Sequence, residues 1–151
     1  MARNRHKKAD RDGVRFLALP HTVLDAPAFL TLSAPAVRLL IDIARKYSGA
    51  NNGQLVACMS YLSTRGWTSN DTLMRARREL EAAGFIVQTR MGARPNKAAW
   101  FALTWAGLDW LPEMDMAKSH FERGLYSKND SLPPVLKTRA LDRQTVGMEC
   151  K

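Results

Sequence analysis

The chain has 151 residues, 46% of them hydrophobic and four of them tryptophan, which suits one folded domain with a core and is short for two. The formal net charge of +9 favours a polyanionic partner such as nucleic acid, although a generic basic protein would carry the same charge. No apolar run approaches the length that spans a bilayer, and Cys58 and Cys150 lack the spacing of a disulfide framework or a zinc site. We therefore expect a cytoplasmic protein that has no signal peptide, contacts no membrane and needs no metal or cofactor.

The positive charge is unevenly distributed along the chain. Residues 1–15 hold six Lys or Arg against two Asp, residues 33–105 hold ten Lys or Arg against four Asp or Glu, and residues 106–151 hold seven of each. Residues 1–15 also lack apolar periodicity, which predicts a flexible basic arm. Such an arm can lie along phosphates or enter a minor groove, or it can serve only to keep the chain soluble; the sequence favours neither.

A compact lead-in and a first long helix follow the arm. Asp25 is predicted to cap a short helix that has Pro27 in its first turn, and Ser33 is predicted to begin the long helix. The apolar residues of the long helix recur at helical spacing and are expected to face the core: Val37, Leu40, Ile41, Ala44 and Tyr47. Its charged residues are expected to stay outside: Arg38, Asp42, Arg45 and Lys46.

Residues 54–67 predict a brief strand, a second short helix and a tight turn. The mostly apolar run 54–58 is expected to pair with a later hairpin, and residues 59–65 form the helix. Gly66 and Trp67 then make the turn into a third helix, which is the helix-turn-helix arrangement. We expect Trp67 to anchor this turn in the core; stacking of an exposed ring on a base is the alternative.

The third helix is predicted over residues 69–83, because Thr68 and Ser69 are good N-caps and Gly84 supplies a left-handed stop. A narrow apolar stripe recurs along it at helical spacing: Leu73, Ala76, Leu80 and Ala83. Two extended runs, residues 85–89 and 98–104, follow and are joined by a basic turn over residues 90–97. Helix, glycine, strand, basic turn and strand form the second half of a winged helix.

The sequence patterns that predict secondary structure become weaker after Trp105. Residues 106–111 favour a short helix that covers the open side of the core. Further on, Phe121, Leu125 and Tyr126 are spaced for one helical face, which predicts a peripheral helix or a segment that binds a protein partner. The remainder of the chain is expected to be flexible.

These elements predict an α+β, mainly helical fold: a winged helix-turn-helix of three helices plus a two- to three-stranded antiparallel wing. We place the arm at residues 1–15, the winged-helix domain at 16–111 with its core motif at 34–105, and a C-terminal extension at 112–151.

A motif in the third helix carries a family resemblance. The run ELEAAGFI at residues 79–86, preceded by Leu73 and Arg78, resembles the motif of winged-helix regulators of the GntR and MarR type. The opening part of the chain is similar to small winged-helix proteins of phages and plasmids, including replication-associated ones. The chain departs from the regulators because it lacks an effector domain and long terminal dimerisation helices. Ligand sensing is therefore not implied, and a homodimer is left open.

The resemblance implies that the third helix enters a major groove and that the wing contacts the DNA backbone. The residues expected to contact DNA from the helix are Ser69, Asn70, Asp71, Thr72, Met74, Arg75 and Arg78, and those from the wing tip are Arg90, Arg94, Asn96 and Lys97. Among them, Arg75 is the candidate for a bidentate contact to guanine, Asn70 for adenine or a phosphate, and Arg78 for the backbone. Arg77 is instead expected to pair with Glu81, four residues later. The alternative for the wing is that its charges merely solvate a hairpin.

The expected function is sequence-specific binding of double-stranded DNA without catalysis, by a protein of a phage or plasmid type element. It would act as a transcriptional regulator or as an accessory in replication or partition. The alternative is a phage-type inhibitor or adaptor that uses the same scaffold to bind a protein, with the C-terminal extension as one candidate contact. An enzyme is not expected, because the chain has no phosphate-cradling glycine loop, and His6, His21 and His120 are far apart.

Overall fold

A computed structural model describes residues 15–128; the predictions made for residues 1–14 and 129–151 lie outside this range. The α-helices are α1 (His21–Leu24), α2 (Pro27–Leu30), α3 (Ala34–Ala44), α4 (Met59–Leu62) and α5 (Asn70–Ala82). Short 3-10 helices span Ser63–Arg65, Lys118–His120 and Leu125–Lys128, and the strands are β1 (Ile86–Arg90) and β2 (Trp100–Leu103).

The sheet is a two-stranded antiparallel hairpin, so the α+β class is confirmed. Ile86 lies opposite Leu103, and Arg90 lies opposite Trp100 beyond an irregularity in the register. The strand predicted over residues 54–58 is reduced to one bridge, in which Leu55 exchanges two backbone hydrogen bonds of 2.8 and 3.1 Å with Phe101. Side-chain hydrogen bonds add to this bridge: the Asn52 amide accepts from the Leu103 backbone N–H at 2.7 Å, and the Thr89 hydroxyl donates to the Gly53 carbonyl at 2.5 Å.

The core lies between α3, α5 and one face of the hairpin. Helices α3 and α5 pack directly on each other. Side chains that are almost fully buried come from all three parts: Leu39, Leu40, Ile43, Leu73, Leu80, Phe85, Ile86, Phe101 and Leu103. Burial of this apolar surface is the main stabilising term, and it fixes α5 with its opposite face towards solvent.

The rotation of α3 about its axis differs from the prediction. Leu39 and Ile43 point into the core, whereas Ile41 is 44% exposed. Asp42, which was expected outside, is only 4% exposed. Apolar residues occupy enough positions of α3 for two rotations to satisfy the periodicity. In the observed rotation the Asp42 carboxylate accepts hydrogen bonds from the buried Trp67 indole and from Arg65.

Serine side chains cap the two long helices, α3 and α5. The hydroxyls of Ser33 and Ser69 each accept a hydrogen bond from the backbone N–H three residues on, at 3.3 and 3.2 Å. These bonds satisfy first-turn amides that have no partner inside the helix. The prediction for Asp25 is wrong: α2 begins later, its N-cap is Ala26, and no side chain caps it.

The short helix predicted over residues 106–111 does not form, because a buried asparagine holds this segment in an irregular conformation. The Asn52 amide donates to the backbone carbonyls of Ala106 and Gly107 at 3.3 and 2.9 Å. The Asp109 carboxylate accepts from the Asn52 backbone N–H at 2.8 Å. If residues 106–111 formed a helix, these carbonyls would accept hydrogen bonds within that helix instead of from Asn52.

The C-terminal extension packs on the core as far as residue 128. Phe121, Leu125 and Tyr126 do not share an α-helix, since only 3-10 turns form here. Tyr126 is 7% exposed and stacks on Phe85 with ring centroids 5.3 Å apart. Gly84 has a φ of +81°, and a Cβ there would lie 2.9 Å from the backbone at Leu125. Only glycine therefore fits where the end of α5 passes close to the extension. Packed structure therefore continues beyond residue 111, as far as Lys128.

Candidate nucleic-acid interface

The outward face of α5 presents most of the helix residues that were predicted to contact DNA. At about 100° per residue, Asp71, Arg75 and Arg78 lie within about 60° of arc, opposite the buried stripe. All three are exposed, and Met74 beside them is half-buried. Asn70 is exposed at the start of the helix, nearer the flank. The structure therefore brings these residues onto one surface.

Ser69 and Thr72 form a hydrogen bond with each other at the start of α5. The Ser69 hydroxyl is the N-cap of α5 and accepts from the Thr72 backbone N–H. Thr72 is half-buried and lies on the side of α5 that faces α3. Together with Trp67 and Arg38 of the preceding elements, they line a shallow cavity of about 310 Å³ beside the start of α5.

Arg75 forms an ion pair with Asp71, one turn earlier in α5. The guanidinium donates to the carboxylate, and the side chains are 76% and 69% exposed. Neighbouring groups of opposite charge four residues apart on a helix attract each other, but the pair is weak when water surrounds it. The residue predicted to contact guanine therefore already has a carboxylate partner.

The charged residues on the flanks of α5 are engaged within the protein. Glu79, which belongs to the motif that carries the family resemblance, accepts from the backbone N–H and the hydroxyl of Ser33 at 2.6 and 2.7 Å. Arg77 lies 3.5 Å from Glu81, so the predicted pair is confirmed, and its guanidinium also lies 5.6 Å from the ring centroid of Phe101. These contacts join α5 to α3 and to the hairpin.

The turn before α5 is fixed to α3 through Asp42. Trp67 is 5% exposed, and its indole N–H donates to the Asp42 carboxylate at 2.8 Å. Arg65 donates to the other carboxylate oxygen at 3.0 Å. The Arg38 guanidinium lies 5.1 Å from the Trp67 ring centroid and donates to the Arg65 carbonyl. The prediction that Trp67 anchors this turn in the core is confirmed.

The hairpin loop exposes a second group of predicted residues. Ala93 and Lys97 exchange two backbone hydrogen bonds of 2.8 Å, which close the end of the loop into a narrow tip. The predicted DNA contacts in this tip are all exposed: Arg94, Asn96 and Lys97. The tip can therefore present two cations and an amide to a phosphate chain.

Arg90 does not lie at the tip, contrary to the prediction. It ends β1, and its guanidinium lies over the ring of Trp100 at 3.3 Å from the centroid. It also donates to the backbone carbonyl of Ala98 at 2.9 Å, and the residue is half-buried. A planar guanidinium stacks well on an indole ring, so Arg90 braces the base of the loop.

Asp115, in the C-terminal extension, supports the start of the loop through a contact that the sequence does not predict. The Asp115 carboxylate accepts from the Met91 backbone N–H at 2.6 Å, and the Asp115 backbone N–H donates to the Thr89 carbonyl at 2.9 Å. The extension thus lies along the outer edge of β1 where the loop begins. No sequence motif predicts such a contact, because it depends on two segments that are far apart in the sequence.

The described residues show no metal site and no membrane-spanning helix beside these two surfaces. Over residues 15–128, no group of three His, Cys, Asp or Glu side chains is placed to hold a metal ion. Within the same range, every helix is too short or too polar to cross a membrane. Comparison of the chain with protein-family models, with curated proteins and with solved structures finds no match.

Proposed function

We propose that this protein is a sequence-specific binder of double-stranded DNA without catalysis, with α5 as the recognition helix and the β1–β2 hairpin as the wing of a winged helix-turn-helix. The observation that carries the proposal is the outward face of α5. It holds Asp71, Met74, Arg75 and Arg78, while the opposite face is core and the flanking charges are engaged. A helix of this kind fits the major groove, where base edges present distinct patterns of donors and acceptors.

The residues of α5 divide by the DNA group that each would meet. Arg75 can donate two hydrogen bonds to the O6 and N7 atoms of guanine. Asn70 suits adenine or a phosphate, and Arg78, one turn beyond Met74, suits the backbone. The first-turn amides near Ser69 add the attraction of a helix N-terminus for a phosphate.

The wing would contribute affinity and register. Arg94 and Lys97 at the loop tip would neutralise phosphates, and Asn96 can donate to a phosphate oxygen or reach the flanking minor groove. Arg90 would act indirectly, because its stacking on Trp100 braces the loop.

The resemblance to small winged-helix proteins of phages and plasmids supports a cytoplasmic regulator of transcription, or an accessory in replication or partition, of such an element. Its oligomeric state, homodimer or monomer, is a separate question that the binding stoichiometry would answer.

A protein-binding inhibitor or adaptor is the second candidate, and the outer face of α3 favours it. Ile41 is 44% exposed, and Ala34 and Val37 share its side of the helix. With Arg38 and Arg65 they line a shallow cavity of about 610 Å³. Exposed apolar surface of this kind is typical of protein contacts.

The test of the proposal compares Arg75→Ala with Arg45→Ala. Both variants remove one exposed arginine, but Arg45 lies at the end of α3 and outside the proposed surface. A duplex would first be selected from a random pool by the wild-type protein. Arg75→Ala is expected to weaken binding to this duplex by about 1–3 kcal/mol, and to random duplex far less. Equal losses on both duplexes, or equal effects of the two variants, would contradict a role for Arg75 in base recognition.

A further inference from the structure

Asp71 is an unusual residue to find at the centre of a surface proposed to meet DNA. The other two carboxylates of α5 are engaged, Glu79 with Ser33 and Glu81 with Arg77. Asp71 alone extends outward beside the arginines, and its side chain is 69% exposed. A carboxylate here repels phosphates and reduces the affinity for any duplex. Asp71 lies in the first turn of α5, where a negative charge stabilises the helix, and any contribution of it to DNA binding is to discrimination between duplexes.

We propose that Asp71 is a specificity-determining residue: together with Arg75 it reads one G·C base pair, and it lowers the affinity for DNA that lacks this pair. The inference rests on the proposed function. Its physical basis is the ion pair between the two side chains, which places an acceptor and a two-pronged donor side by side on the outward face of α5.

The two side chains match the major-groove edge of a G·C pair. Guanine presents two acceptors, O6 and N7, and cytosine presents the N4 amino donor beside them. The Arg75 guanidinium has five N–H donors, so it can donate to guanine and keep one hydrogen bond to Asp71. The second oxygen of the Asp71 carboxylate can then accept from cytosine N4. An A·T pair places its amino donor between two separate acceptors, so Arg75 cannot make two hydrogen bonds to one base and the match is poorer.

The same pair discourages binding elsewhere. On a random duplex Arg75 has no guanine at the required position, and its best acceptor is then either a phosphate or Asp71. Asp71 is already within reach, so it holds the guanidinium back from the phosphates. Its own charge also opposes the approach of the backbone. Specificity here is a difference between two affinities, and Asp71 increases that difference by weakening the nonspecific one.

The experiment compares Asp71→Asn with Glu81→Gln, two changes that each remove one negative charge from α5. Glu81 is the matched control because it lies on the flank, paired with Arg77. Binding of the full chain would be measured to a random duplex and to the duplex selected by the wild-type protein, at about 50 mM salt and above. Far-UV circular dichroism would verify that α5 is intact, and Asp71→Ser serves as a second variant if Asp71→Asn loses helix.

The expected result is that Asp71→Asn raises the affinity for the random duplex by about 3- to 10-fold, whereas Glu81→Gln changes it by less than about twofold. The ratio of selected to random affinity falls by about 10-fold for Asp71→Asn only. In the Arg75→Ala background this change in ratio becomes smaller, because Asp71 no longer has a guanidinium to orient.

The experiment distinguishes a failure of the role given to Asp71 from a failure of the proposed function. Equal effects of Asp71→Asn and Glu81→Gln on both duplexes, with wild-type binding intact, would overturn the role of Asp71 and leave the proposed function standing. If the folded wild-type protein binds neither duplex at low salt, the proposed function fails, and the inference fails with it.

Discussion

Replacing Asp42 with alanine is expected to destabilise the fold, because the turn before α5 depends on this buried carboxylate. The change leaves the Trp67 indole N–H, on a residue only 5% exposed, without its acceptor at 2.8 Å. A buried donor without a partner costs about 1–3 kcal/mol. The Arg65 side chain is 39% exposed, so water can replace its lost bond and the further cost is about 0–1 kcal/mol. Together these two terms predict a loss of about 1–4 kcal/mol in the free energy of unfolding.

The assay is a double-mutant cycle with Trp67→Phe, read by urea unfolding monitored with far-UV circular dichroism. Phenylalanine keeps a ring in the core but removes the N–H that donates to Asp42. The coupling free energy is expected to be about 1.5–3 kcal/mol, the range for a hydrogen bond to a charged group. Asp25→Ala is the control, since Asp25 is exposed and carries the same charge. A coupling below about 0.5 kcal/mol, or an equal loss in Asp25→Ala, would refute the reasoning.

Two further predictions test the hairpin loop and the C-terminal extension. Changing both Arg94 and Lys97 to alanine should weaken binding to all duplexes alike. It should also reduce the slope of log affinity against log salt concentration by about one unit per lost phosphate contact. An unchanged slope would show that the loop tip does not contact the phosphates. Tyr126→Ala should lower the free energy of unfolding by about 3 kcal/mol, because it removes the ring stacked on Phe85. Tyr126→Phe should be nearly neutral in the same urea titration, since it keeps that ring; equal losses in both variants would contradict the stacking argument.

Much of the fold could be predicted because its signals are local. The caps at Ser33 and Ser69 lie one residue before α3 and α5, and Gly84 ends the second of these helices as expected. The two extended runs and the basic turn between them also located the hairpin to within one or two residues of β1 and β2. Each of these features depends on residues a few positions apart, which a pattern can capture.

The polar contacts that shape the site could not be predicted, because their partners are far apart in the sequence. Asp42 was expected in solvent, since a buried carboxylate is favourable only if donors such as the Trp67 N–H meet it. The Asn52 amide donates hydrogen bonds to carbonyls more than fifty positions further along the chain. Arg90 is one member of a basic run, and only the pairing of β1 with β2 places it on Trp100. Charge alone could not separate this bracing arginine from those at the loop tip.

The most direct test of the central claim is binding of the purified full chain to a labelled random-sequence duplex, titrated across salt concentration. A surface built from α5 and the hairpin loop predicts measurable binding at about 50 mM salt that falls steeply as salt rises, because each neutralised phosphate releases counterions. Absence of binding at that salt from a protein whose circular dichroism shows it to be folded would contradict the DNA-binding account and favour a protein partner on the outer face of α3.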